Sequence, residues 1–175
     1  ISQNPVIAAE AIINGTPFET DIGSFGGKRY FSYIASFGVF TAVSYNTPQN
    51  FKNNFGHLAY VLEGLKDITK LTPYKVRVET PDNVYEGNYI FGSVTNTTSV
   101  GGIVKLDKDV VKMNDGLFEI VLVKNPTNIN DVSKIIGGCS ASNLTDSVFE
   151  FIKASSVTMT FEKEMNWSID GEHER

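Results

Sequence analysis

Tyr74-Lys75-Val76-Arg77-Val78-Glu79 sets valines between charged side chains, and after Pro81-Asp82-Asn83 the apolar-rich run Val84 to Val94 follows. A period of two is the repeat of a strand with one buried face, and Pro-Asp-Asn is turn chemistry. The stretch reads as two strands joined by a turn, the second of them long. Further along, Phe118 to Val123 reads as a buried strand. Phe149 to Ala154, Val157 to Phe161 and Asn166 to Ile169 read as the last three. Upstream, Phe18 to Gly23 and Tyr30 to Phe37 are predicted strands, with Gly26-Gly27-Lys28 turning between them.

Three helices interrupt this pattern. The first runs from Asn4 to Asn14, with Asn4 as cap, Pro5 in the first turn and Gly15 as stop. Its Val6, Ala9 and Ile13 form a stripe that needs a partner surface. Phe51 to Leu65 repeats Phe51, Phe55, Leu58, Ala59, Leu62 and Leu65 at three- and four-residue steps, giving one broad apolar face. A third, capped by Thr127 or Asn128, carries Ile129, Val132, Ile135 and Ile136 and is expected to end at Gly137-Gly138. Many strands with few helices predict a mainly β fold, an antiparallel β-sandwich with helical decorations. The expected organisation is a helix or linker over residues 1–15 and a β-sandwich domain over 16–175.

A chain of 175 residues suits one well-packed domain. Its 41% hydrophobic and 20% charged residues are those of a globular protein, and 12 Phe and 7 Tyr favour strands. The net charge of -5, with acids and bases interspersed, argues against a nucleic-acid binder. No basic run suits anionic lipid headgroups, and no apolar run approaches the ~20 residues of a membrane span. Cys139, the only cysteine, excludes an intrachain disulfide. A reducing cytoplasm is the expected home. Its apolar neighbourhood reads as a buried thiol.

Two turns hold the acids with chemical potential. Met165, Trp167 and Ile169 alternate with Asn166 and Ser168, so a half-buried strand delivers Asp170 to its end, with Gly171 and Glu172 just beyond. Two carboxylates there form an acid/base pair if mutual repulsion raises one pKa, or are simply a solvated turn. Lys105 to Leu117 contains Asp107, Asp109 and Asp115, oxygen donors for a hard cation without the spacing of an EF-hand loop. Asn114-Asp115-Gly116 is equally good turn chemistry without a metal. The polar segment Thr95 to Gly102 lines a ligand site or is a wide connection. No GxxxxGK[ST] and no GxGxxG is present, so no nucleotide cradle is recognisable. His57 and His173 have no visible triad partner.

Read in order, several of these pieces resemble one family. They are Phe31-Ser32-Tyr33-Ile34-Ala35-Ser36-Phe37-Gly38, Tyr85-Glu86-Gly87-Asn88-Tyr89-Ile90-Phe91-Gly92, Val100-Gly101-Gly102, Asn114-Asp115-Gly116-Leu117-Phe118 and Trp167-Ser168-Ile169-Asp170-Gly171-Glu172. Their order and spacing are similar to the carboxyl-terminal domain of the bacterial diacylglycerol kinases, soluble lipid kinases. The resemblance implies a substrate-side domain whose partner domain, bearing a Gly-Gly-Asp-Gly-Thr nucleotide motif, is not in these residues. The fragment alone is then expected to be inactive. It also implies Glu172 as the base that deprotonates a lipid hydroxyl, with Asp170 as the rival, and ATP as co-substrate. A structural Mg2+ would be held by Asp115 and the main-chain carbonyls of Lys112 and Leu117. The implied partners are diacylglycerol or a similar lipid, through peripheral membrane contact, with a homodimer open. Two other readings stand beside it: a non-enzymatic β-sandwich binding module, and a domain of a small-molecule kinase resembling the NAD kinases.

Overall fold

The computed structural model describes residues 2, 4–39, 41, 71–100, 104–107, 109–141 and 143–174. The helix expected over Phe51 to Leu65 lies outside them. Twelve strands and two helices are described. They are α1 (Pro5–Asn14), β1 (Gly23–Phe25), β2 (Arg29–Phe31), β3 (Ile34–Gly38), β4 (Tyr74–Glu79), β5 (Val84–Thr95), β6 (Ser99–Val100), β7 (Val104–Lys105), β8 (Phe118–Lys124), α2 (Ile129–Ala141), β9 (Phe149–Ala154), β10 (Thr158–Phe161), β11 (Trp167–Ile169) and β12 (Glu172–Glu174). Every strand pairing is antiparallel. The mainly β, sandwich-like fold expected from the sequence is what the chain forms.

The long strand β5 organises the main sheet. Its first half pairs with β4, and its second half pairs with β3 on one edge and β8 on the other. From there the sheet continues through β4 to β10, through β3 to β11 and β12, and through β8 to β9. A register shift between Tyr89 and Phe91 marks a bulge where the two halves meet, the device that bends a strand.

The bend lets the sheet fold over itself. β10 and β11 are not neighbours in the pairing order, yet the rings of Phe161 and Trp167 lie 5.9 Å apart. Phe37 sits between them, 5.0 Å from Phe161 and 5.2 Å from Trp167, and is fully buried. Edge-to-face rings at these separations add to the burial of apolar area. Phe31, Ala35, Val76, Val78, Tyr89, Val94, Ile120, Leu122, Ile152, Ala154 and Ile169 belong to the same core. The opposite face of β3, β5, β8 and β9 presents Ile34, Phe91, Val121, Val123 and Phe149, covered by Val132, Ile135 and Cys139 of α2 and by Leu106 and Val111. Period-two alternation thus feeds two cores, one on each side of the sheet.

Several boundaries differ from expectation. Residues 18–22 are not a strand; β1 begins at Gly23. The strand expected over Tyr30 to Phe37 is broken at Ser32–Tyr33, for a reason given below. Helix α2 runs through Gly137-Gly138 to Ala141. A Cβ on Gly138 would meet the Phe149 ring at 2.4 Å, so this glycine is present for close packing and does not end the helix. Helix α1 begins as read: Asn4 accepts from the Val6 amide at 3.0 Å and Pro5 opens the first turn. It buries no residue among those described.

Candidate functional site

The terminal Asp-Gly is a hairpin. Ile169 pairs with Glu172, leaving Asp170 and Gly171 as a two-residue loop with φ of 48° and 89°. Two successive positive φ values match the right-handed twist of paired strands, and Asp-Gly is the dipeptide that tolerates them best. The hairpin therefore has β12 as its second strand, a segment too short and polar to announce itself.

Asp170 is exposed like Glu172, but its carboxylate is held by the backbone of a distant turn. Its carboxylate accepts from the amides of Ser32 (2.8 Å), Tyr33 (3.0 Å) and Ile34 (2.9 Å), and from the Ser32 hydroxyl (3.3 Å). Its own amide donates to the Ile34 carbonyl at 2.8 Å. Three successive amides turned towards one carboxylate cannot continue a ladder, which is why β2 and β3 are separate strands. Burial acts to raise the Asp170 pKa, but bonds from Ile34, Ser32 and Tyr33 outweigh it and hold the carboxyl below its ordinary value. The mutual repulsion expected to raise one pKa of the pair is not what governs Asp170. Glu172 is exposed and forms an ion pair with Arg29 at 2.5 Å.

The second turn is tied to the first. Tyr33 gives its amide to Asp170, and its carbonyl accepts from the Thr95 hydroxyl (2.7 Å) and the Asn96 amide (3.3 Å). Asn96, fully buried, sends its side-chain amide to the carbonyls of Met113 (3.0 Å) and Asp21 (2.9 Å). Asp21 closes the circuit: its amide donates to Met113 at 2.8 Å, and its carboxylate accepts from Gly116 at 2.7 Å. The hydrogen bonds run without a break from the Asp170 hairpin to the Asn114–Gly116 turn, past the end of β5. Sequence reasoning missed Asp21 and the buried role of Asn96. Neither sits in a motif, because their partners are distant in sequence.

Within that second turn, Asp115 accepts from the Leu117 amide at 3.1 Å and pairs with the Lys153 ammonium at 3.1 Å. Burial acts to raise its pKa, and the bonds from Lys153 and Leu117 overcome this to hold it below the ordinary value. Lys153 also donates to the Val110 carbonyl at 2.8 Å. It lies 3.4 Å from Glu119, whose side chain is fully buried. That last contact is an ion-pair separation without hydrogen-bond alignment, so both Glu119 oxygens have no hydrogen-bond partner. Burial pushes the Glu119 pKa up, against the opposing pull of Lys153. Lys153 and Glu119 face each other directly across β8 and β9.

Of the residues expected to hold a metal, Lys112, Asp115 and Leu117 share this one loop, with Lys112 exposed. Asp107 instead accepts from the amide of Asp109 and organises its own turn. No group of three or more His, Cys, Asp or Glu side chains suited to a metal occurs among the described residues. One carboxylate with main-chain carbonyls is a hard-oxygen set of the kind Mg2+ accepts while keeping several waters. The Asp115 carboxylate already holds one cation, the Lys153 ammonium at 3.1 Å, so it supplies the negative charge such an ion needs. The residues present fit such an ion. Cys139 is buried as expected, and burial pushes its thiol up to about 11, away from nucleophilic use.

Residues 34–175 match the family described as the YegS C-terminal NAD kinase beta sandwich-like domain. The chain belongs to that family, as a C-terminal domain of the diacylglycerol kinase and YegS type. It is 31% identical over 166 residues to a diacylglycerol kinase of Bacillus subtilis strain 168, covering 95% of this chain and 54% of the relative. A diacylglycerol kinase of Staphylococcus epidermidis is 30% identical over 167 residues, with 95% and 52% covered. The chain thus spans about half the length of the curated relatives it matches. A Bacillus anthracis crystal structure assigned to the diacylglycerol kinases by name only superposes with a TM-score of 0.75 at 24% identity. It covers 99% of this chain and 58% of that one, and shows the shared fold. No helix among the described residues is long and apolar enough to cross a membrane.

Proposed function

We propose that this domain is the substrate-side half of an ATP-dependent lipid kinase that phosphorylates the hydroxyl of diacylglycerol or a similar lipid. The observation that carries the reading is the unbroken hydrogen-bond circuit from Asp170 through Tyr33 and Asn96 to the Asp115 turn. It holds both acidic turns in one frame, on a chain whose relatives are named kinases. Phosphoryl transfer depends on positioning and charge stabilisation more than on covalent chemistry, so a rigid frame for two acidic turns is what the reaction needs.

Within this reading Glu172 is the general base. Its carboxylate is exposed and its partner Arg29 is a surface ion pair, which is weak enough to exchange. Asp170 serves instead as the clamp that shapes the β2–β3 break, since hydrogen bonds to three amides and a hydroxyl leave its carboxylate poorly placed to accept a substrate proton. Asp115, with the carbonyls of Lys112 and Leu117, would hold Mg2+, which supplies positive charge and rigidity to the turn. ATP is bound by another part of the whole protein, and contact with the lipid is peripheral.

The experiment is transfer of labelled phosphate from ATP to a lipid panel by the whole kinase that contains this domain. The panel should include diacylglycerol, a sphingoid base and a polyprenol. Phosphorylation of a lipid supports the reading. Transfer only to a soluble acceptor would favour the reading as a small-molecule kinase.

A further inference from the structure

We propose that Lys153 is an internal competitor for the Asp115 carboxylate, and that buried Glu119 is the acceptor that takes Lys153 over when a hard cation binds the turn. The inference rests on the Mg2+ reading of Asp115 given above.

Three distances motivate it. The Lys153 ammonium bonds the Val110 carbonyl at 2.8 Å and Asp115 at 3.1 Å, and forms a longer ion pair with Glu119 at 3.4 Å. Glu119 is fully buried, and neither oxygen has a hydrogen-bond partner. A buried carboxylate left in that condition is costly, and folds keep such groups only with a reason. The reason here is geometric. Glu119 lies directly opposite Lys153 in the β8–β9 register, so a full charge-assisted bond needs a side-chain shift of under about 1 Å.

Two positive charges repel when they share one carboxylate, so a cation on Asp115 drives the ammonium off that oxygen. Without Glu119, Lys153 would keep only a neutral carbonyl and would resist displacement. With Glu119, the lost pair with Asp115 is offset by tightening the existing Lys153–Glu119 pair, which lies in a drier setting where it is stronger. Cation binding at the surface turn and the Lys153–Glu119 bond in the interior thus become one event. The exchange stiffens β8 against β9 when the turn is loaded.

The test is Mg2+ binding followed by calorimetry on the protein and its variants, with thermal melts to confirm folding. Lys153→Met removes the competitor and is expected to tighten the dissociation constant about tenfold. Glu119→Gln removes the acceptor and is expected to weaken it roughly three- to tenfold. In the Lys153→Met background, Glu119→Gln should change it by less than about twofold, because the coupling has lost its carrier. A second readout needs no variant that risks misfolding: the carbon-13 resonance of the Lys153 side chain should shift and saturate with Mg2+. An unmoved Lys153 resonance at saturation, or unchanged affinity in Lys153→Met, overturns the exchange while leaving the metal site standing. If Asp115→Asn binds Mg2+ as tightly as the parent, the metal site itself fails and the exchange falls with it.

Discussion

Asp170 and Tyr33 are joined across 137 positions of sequence: the carboxylate of one accepts the amide of the other at 3.0 Å. The Tyr33 carbonyl in turn accepts from Thr95 and Asn96 at the end of β5. One carboxylate therefore links the last hairpin to the first strand of the main sheet and, through it, to the acidic turn at Asp115.

Asp170→Asn should lower stability because the charged acceptor of three amides is lost, while Asn still tolerates the left-handed backbone. Charge-assisted bonds to a group that water can reach place the loss at about 1–3 kcal/mol. The pH dependence follows from the direction of the shift. The folded-state pKa lies below the ordinary 3.8, so the contribution is fully present above the unfolded value and is lost as pH falls through the folded one. Melting curves from neutral pH down to about pH 3 should show the parent losing its advantage over Asp170→Asn at the acid end. Parallel curves throughout would contradict the clamp.

Asn96→Ala should cost about 1–3 kcal/mol, since it leaves the carbonyls of Met113 and Asp21 short of a buried donor. Its signature is local. Hydrogen exchange at the Gly116 and Leu117 amides should accelerate more than exchange in β4 or β10. Uniform acceleration would mean that Asn96 supports the fold in general and not the turn.

The strand pattern was legible because period two is a local property, and Tyr74 to Val94 displays it without help. The Asp-Gly turn was legible as a turn for the same reason. The break at Ser32–Tyr33 was not, because its cause is a carboxylate at the other end of the chain. Nor was β12, whose Glu-His-Glu sequence has no apolar face to betray it. The site residues divide the same way. Asp115, Asp170 and Glu172 sit in recognisable dipeptides, whereas Asp21, Glu119 and Lys153 acquire their meaning only from strand register and loop packing. Glu119 in particular reads as the polar member of an apolar strand until β9 sets Lys153 opposite it.

Phe37→Ala should cost about 3–5 kcal/mol, because its ring is fully buried between Phe161 and Trp167. Chemical denaturation measures this directly. A loss below half a unit would mean that the aromatic cluster does not hold the folded-over sheet together.

Residues 1–175 alone should fold yet neither bind ATP nor phosphorylate lipid, since they contain no recognisable phosphate-binding loop. Calorimetry with ATP should show no heat of binding. Measurable ATP turnover by these 175 residues would overturn the assignment of ATP to another part of the protein.

The most direct measurement is lipid phosphorylation by the whole kinase carrying Glu172→Gln, beside Asp170→Asn. Gln keeps the size and hydrogen bonding of Glu but not its basicity, and general-base catalysis is typically worth ~10²–10⁴-fold. A fall in turnover of that size, with melting temperature and ATP affinity unchanged, is the expected result, and Asp170→Asn should lose stability along with activity. Near-normal turnover in Glu172→Gln, with Asp170→Asn inactive but fully stable, would make Asp170 the base and contradict the division of labour between the two acids.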